Sequence, residues 1–167
     1  MPRFLRMPIV LAMAFLLFFQ SGNEFLLGGY FSTFLTRVTQ TPAELASYLL
    51  AAYWASIMAA RILLSRILLR AGAFVVIGVS AVLAAAGSIL VAVSRTTPVA
   101  AAGIVLTGAA LSGIFPTMLG LAGARFRQHS GSVFGILFTI ALSGGMLMPW
   151  FAGQLAETIG LRSVFVQ

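Results

Sequence analysis

The sequence has 167 residues and a net charge of +7; 60% of the residues are hydrophobic, 8% are charged, and the mean hydropathy is +1.07. Soluble domains carry about 25% charged residues, and so short a soluble chain has no interior large enough to hide this much apolar surface. With no cysteine, no aspartate and a single histidine, the chain offers no disulfide, thiol catalyst, conventional metal site or Ser-His-Asp triad, so we expect neither an enzyme nor a cofactor.

Five apolar segments each provide the roughly 20 residues that a spanning helix needs. They predict an all-α membrane protein, a polytopic bundle of transmembrane helices in one domain over residues 1–167, with the lipid bilayer as a partner. The spans are predicted at about 7–36, 42–64, 73–93, 98–124 and 132–156. Residues 161–167 are typical of the opening of a sixth span, so we expect that the chain is cut short.

The first span carries the most unusual side chain of the sequence, Glu24. Gln20 and Asn23 stand four residues and one residue before it, and we expect all three on one helix face, with both amides hydrogen bonding beside the acid. A carboxylate in hydrocarbon is costly and is functional by default. Because a low-dielectric site favours the protonated form of a carboxyl group, Glu24 is predicted to carry a proton or to contact a polar substrate. A structural, hydrogen-bonded acid is the alternative.

The same span is longer than necessary, so it must tilt, bend or protrude, and Gly22 and the Gly28-Gly29 pair are the predicted bending points. The second span begins at Thr41-Pro42-Ala43-Glu44, which has the form of a capping box with Thr41 as N-cap and Glu44 reaching back.

The fourth span begins in a similar way, at Thr97-Pro98. Pro116 lies inside it and is expected to kink the helix, because proline removes a backbone donor and crowds the preceding turn. In the fifth span Gly144-Gly145 and Pro149 are expected to loosen the second half, and Gly160 to end it.

The ten arginines give an orientation. Seven lie at alternate connectors on one side and three on the other, which places the N-terminus in the cytoplasm by the positive-inside rule. Because they are scattered between apolar runs, the basic charge does not predict nucleic-acid binding. The seven are Arg3, Arg6, Arg61, Arg66, Arg70, Arg125 and Arg127; the three are Arg37, Arg95 and Arg162.

Three residues of the second span are further candidates. Arg61 lies about one turn inside the predicted end, where it could pair with an acid or bind an anionic substrate, or could extend to the interface as long basic side chains do. Tyr53 and Trp54 lie deeper and could stack on a sugar-like or aromatic ligand, or pack against neighbouring helices.

Four motifs follow one another along the chain: Gly22-Asn23-Glu24 with Gly28-Gly29-Tyr30, Tyr53-Trp54 through Arg61, Phe115-Pro116-Thr117, and Gly144-Gly145 with Pro149 and Gly153. In this order they resemble the C-terminal six-helix half of a major facilitator superfamily transporter, and within it the fucose permease-like branch of sugar–proton symporters. Together they cover nearly the whole chain. The family's Gly-Arg pair is Ala60-Arg61 here, and the acidic residue often found near the end of its basic loop is replaced by Leu69-Arg70.

The resemblance implies secondary transport of a small polar solute, sugar-like and proton-coupled, in a bacterial inner membrane. It also implies a partner, either an N-terminal six-helix half or a second copy, because the half that carries the main proton-coupling acid of sugar symporters has no counterpart here. The proton is then the coupling ion, and the site residues are Glu24, Asn23 and Gln20, followed by Tyr53, Trp54 and Arg61. Efflux of drugs or cations and a non-transporting scaffold or half-transporter subunit remain alternatives.

Overall fold

The protein is described by a computed structural model, which covers residues 4–67 and 71–165. Arg3, Leu69 and Arg70, which enter the predictions above, lie outside these residues. Within them the structure is helical, with short 3-10 turns at Phe4–Arg6, Arg127–His129 and Leu161–Phe165. The helices are α1 (Pro8–Val38), α2 (Ala43–Ile67), α3 (Ala73–Val93), α4 (Thr97–Leu111), α5 (Ile114–Arg125) and α6 (Ser130–Ile159).

The predicted bundle of five spans is confirmed. The described part of the chain contains five segments long and apolar enough to cross a membrane, with α4 and α5 forming one of them. Their helix ends lie within three residues of the predicted bounds. Hydropathy alone locates such segments well because the backbone of a helix satisfies its own hydrogen bonds in lipid.

The fourth span is interrupted shortly before Pro116, where the sequence predicted a kink. The helix is interrupted at Ser112 and Gly113, and the backbone N–H of Thr117 resumes the helical pattern by bonding the carbonyl of Gly113 at 3.3 Å. The break lies one turn before the proline because the proline ring crowds the carbonyl of the residue four positions earlier. In α6, by contrast, Pro149 lies inside a helix that continues without interruption.

The glycines of α1 are not breaks. The helix is continuous from Pro8 to Val38. A Cβ at Gly22 would overlap the sulfur of Met148 in α6, and one at Gly28 would lie 2.7 Å from Cζ2 of Trp54 in α2. Two of the three predicted bending points therefore let neighbouring helices approach closely.

The predicted capping box at the start of α2 is wrong. The helix begins at Ala43, and the Pro42 carbonyl accepts its first bond, from the N–H of Ala46 at 3.0 Å. The Thr41 hydroxyl instead bonds the hydroxyls of Thr39 at 2.7 Å and Thr97 at 2.8 Å. A threonine that meets another helix gains a partner that the sequence motif does not include.

The helices pack as a bundle in which α1 contacts α6 most extensively and α3 contacts α4. α2 packs on α4 and on α1, so the middle of α1 is enclosed by α2, the broken fourth span and α6. Phe165, just after α6, is buried against Phe31 and Phe34 of α1. This packing places the centre of α1, with its polar side chains, inside the bundle.

Candidate functional site

Glu24 lies halfway along the first helix. It stands 16 residues after Pro8 and 14 before Val38, which at 1.5 Å per residue is roughly 24 Å and 21 Å from the two ends. It is buried, with 9% of its surface exposed. A carboxyl group at this depth must be neutralised by a proton or by a partner, because an isolated charge is costly there.

Both oxygens of the Glu24 carboxylate have donors. Gln20 Nε2, one turn earlier, donates to Oε2 at 2.7 Å, and Arg61 Nη2 of α2 lies 3.5 Å from Oε1. Of the three interpretations of Arg61 left open by the sequence, pairing with an acid is the one observed. The pair is asymmetric, since the Glu24 side chain is 12% exposed and that of Arg61 is 47% exposed.

Tyr53 fixes α2 against α1 beside this pair. Its hydroxyl donates to the backbone carbonyl of Glu24 at 3.0 Å, and its ring is fully buried against Phe31 and Trp54. The missing side chain of Gly28 makes room for both aromatic rings of α2. Trp54 is 40% exposed and turns toward Phe25.

A cavity of about 250 Å³ adjoins the carboxylate. Glu24 and Arg61 supply its charged groups, and Phe115 and Phe138, which pack against each other with ring centroids 5.8 Å apart, form part of its wall. The remaining lining residues are Ser21, Phe25, Ala141 and Leu142. The arrangement can bind a small molecule through both hydrogen-bond donors and acceptors, against an aromatic wall.

Asn23 does not reach the carboxylate. It lines a second, mainly apolar groove of about 360 Å³ between α1, α3 and α4, together with Gln20, Ser88 and Thr107. Successive residues are about 100° apart on a helix, so Asn23 and Glu24 point to either side of Gln20. The expected hydrogen bond from Asn23 to the acid is therefore absent; a role of Asn23 in binding stays a prediction.

The Major Facilitator Superfamily profile matches residues 13–167, which include every element of this site. The chain belongs to the Major Facilitator Superfamily. A comparison with curated proteins gave no significant match. Members of the superfamily are membrane transporters rather than enzymes, and a multi-pass bundle that carries a charge pair at half depth agrees with that function.

Other residues line or contact the site although the sequence did not predict them as site residues. Phe115 precedes Pro116 and was noted only for its motif, while Phe138 is one of many apolar residues of α6. The carbonyl of Leu111, at the end of α4, accepts a long contact of 3.5 Å from Gln20 Nε2. Only the helix break predicted at Pro116 could have pointed to an available carbonyl there.

No group of three or more metal-ligating side chains occurs among the described residues.

Proposed function

We propose that this chain is one half of a secondary transporter that moves a small polar, sugar-like solute across a bacterial inner membrane together with a proton. Glu24 carries the proton, and Arg61 and Gln20 hold its carboxylate between proton transfers. The observation that carries the proposal is the Glu24–Arg61 pair, with both carboxylate oxygens engaged, beside a cavity at half depth.

The pair suits a proton carrier because Arg61 and a proton compete for the same carboxylate. An ionised carboxylate only accepts hydrogen bonds, and both Glu24 oxygens accept one here. The 3.5 Å contact to Arg61 is the longer of the two, so it is the contact that breaks first when a proton removes the negative charge of the carboxylate. With the proton bound, the site changes from neutral to singly positive and Arg61 is released toward water.

The cavity suits a solute that carries hydroxyl groups. Arg61 supplies donors, Glu24 supplies acceptors, and the rings of Phe115 and Phe138 supply apolar faces of the kind that pack against a sugar ring. The resemblance to the fucose permease-like branch supports this solute class. Asn23, Tyr53 and Trp54 would reach the solute only after a rearrangement, since they lie in the other groove, in the interior and on the outer side of α2 respectively.

The partner, orientation and coupling of the transporter are part of the same proposal. A second bundle, either an N-terminal six-helix half or a second copy of this chain, would complete the site and rock against this one around the midplane. The arginine asymmetry supports an N-terminus in the cytoplasm. Apart from the proton, no cofactor is required.

The test is uptake into liposomes by the whole protein that contains this chain, with and without an imposed pH gradient. Glu24→Gln is expected to abolish accumulation driven by the gradient while leaving solute exchange without a gradient. Glu157→Gln, which changes an exposed acid near the end of α6, serves as the control. Gradient-driven uptake that survives Glu24→Gln would remove the proton-carrier role.

The two alternatives give different outcomes in the same assay. Efflux of lipophilic cations predicts that such cations, rather than sugars, compete for transport. The structure gives this hypothesis less support, because Arg61 already neutralises the carboxylate that would bind a cation. A non-transporting scaffold predicts no uptake of either class and a stable complex that is insensitive to Glu24→Gln.

A further inference from the structure

Gln20 contacts two parts of the bundle through one amide group. Its Nε2 lies 2.7 Å from Glu24 Oε2 and 3.5 Å from the carbonyl oxygen of Leu111, the last residue of α4. Its Oε1 has no hydrogen-bond partner among the described residues, although the residue is only 4% exposed. A buried acceptor without a partner is unfavourable, so this orientation of the amide must be imposed by something else.

The carboxylate imposes it. If the amide turned over, Gln20 Oε1 would face the ionised oxygens of Glu24, and two acceptors would repel one another. The ionised acid therefore holds the Nε2 group toward itself. Because the same Nε2 group lies near the Leu111 carbonyl, the acid also keeps α1 attached to the end of α4, where the span is broken at Ser112 and Gly113.

We propose that Gln20 is the positioning residue that links the protonation of Glu24 to the break between α4 and α5. This rests on the proposed function, in which Glu24 accepts a proton. The proton arrives from water in the cavity beside Arg61 and binds Oε2, the carboxylate oxygen that faces Gln20. The new O–H then donates to Gln20 Oε1 after the amide turns over, which satisfies the buried acceptor and withdraws Nε2 from Leu111. The last turn of α4 is then free to move relative to α1.

Few other groups can interfere with this titration. The ionisable side chains that face Glu24 among the described residues are Arg61 and Tyr53, both from α2. The cavity residues that α5 and α6 contribute are Phe115, Phe138, Ala141 and Leu142, none of which ionises. The end of α4 can also exchange hydrogen-bond partners without breaking helical bonds, because the carbonyl groups in the last turn of a helix have no partner within that helix.

The test follows the reactivity of one introduced cysteine; this chain contains none, and any cysteine elsewhere in the whole protein is first replaced. Ser112→Cys places a thiol at the break, where the serine is fully buried, in the whole protein that contains this chain. Its alkylation rate is measured above and below the titration of the Glu24 carboxyl band, which is followed by infrared spectroscopy and assigned by its loss in Glu24→Gln. Each rate is divided by that of an exposed thiol from Ser65→Cys at the same pH, which cancels the ionisation of the thiol itself.

We expect the normalised rate to rise about tenfold on protonation, the change that one hydrogen bond of ordinary strength supports. In Gln20→Met the carboxyl band should still titrate while the rate is high at both pH values, because no amide reaches Leu111. Gln154→Met, an exposed change of the same type in α6, should behave as the unmodified protein does. If Gln20→Met does not fold, Gln20→Asn, whose amide is one methylene too short to span both partners, is judged by the same result.

Two results would overturn the link while leaving the proton carrier intact: a rate that still follows the band in the Gln20 variants, or a rate that never follows it in the unmodified protein. A carboxyl band that does not titrate at all would overturn the proposed function, and the link with it.

Discussion

Glu24 Oε1 lies 3.5 Å from Arg61 Nη2, and this ion pair joins α1 to α2 across 37 residues of sequence. The two partners occupy different environments, because the guanidinium is about half exposed and the carboxylate is nearly enclosed. An exposed partner adds little to stability, since water and salt screen it and its side chain must be ordered. The importance of Arg61 is therefore expected in function more than in folding.

Replacing Arg61 by glutamine should abolish gradient-driven uptake and lower the free energy of unfolding by only about 0–1 kcal/mol, provided that the buried carboxyl group left without its cation is neutralised by a proton. Uptake is lost because Glu24 then has no cation to exchange for its proton. Thermal unfolding in detergent and uptake into liposomes measure the two effects. Arg66→Gln, an exposed change in the last turn of α2, is the control. Full uptake by Arg61→Gln would contradict the prediction.

Replacing Gly144 by alanine should destabilise the protein by roughly 1–3 kcal/mol. A Cβ there would overlap the backbone carbonyl of Phe18, which cannot turn aside as a side chain can, so α1 and α6 must separate. Gly22→Ala should cost less because it meets the flexible side chain of Met148. Gly29→Ala meets nothing within 4 Å and should be neutral or stabilising, since alanine favours a helix over glycine. Apparent melting temperatures should follow this order.

The sequence predicted the features that depend on one segment at a time. Span positions follow from local hydropathy, and the break near Pro116 follows from the chemistry of one residue. It did not predict features that depend on which helix lies opposite. The sequence predicts Gly22 as a bending point, whereas in the structure it makes room for the side chain of Met148 in α6. The sequence predicts that Glu24 and Asn23 share one polar face. In the structure Glu24 lines the cavity beside Arg61 of α2, whereas Asn23 lines the groove beside α3.

Thr41→Val should destabilise the protein by about 1 kcal/mol, because it removes the partly buried hydrogen bond between the starts of α2 and α4. Thr97→Val should cost a similar amount, and the double variant should cost less than the sum, as expected for two residues that share one bond. Thr158→Val, whose hydroxyl bonds only carbonyls of its own exposed helix end, is the control.

A companion measurement separates this bond from a helix cap. Glu44→Gln should change the free energy of unfolding little, because Glu44 contacts the exposed Tyr48 hydroxyl at 3.5 Å and does not cap α2. A loss of unfolding free energy from Glu44→Gln equal to that from Thr41→Val would instead support the predicted capping box.

Tyr53→Phe should weaken the attachment of α2 to α1 while leaving solute affinity unchanged. It removes the hydroxyl that donates to the Glu24 carbonyl at 3.0 Å but keeps the ring that packs on Phe31, so the expected loss is about 1 kcal/mol of unfolding free energy. Tyr48→Phe, at an exposed hydroxyl, is the control. Because Tyr53 is fully buried and lines neither cavity, its effect on the KM for uptake distinguishes two roles. A raised KM at unchanged stability would mean that Tyr53 contacts the solute in another conformation, the role that the sequence predicted for it together with Trp54. An unchanged KM would mean that Tyr53 serves to hold Glu24 in place.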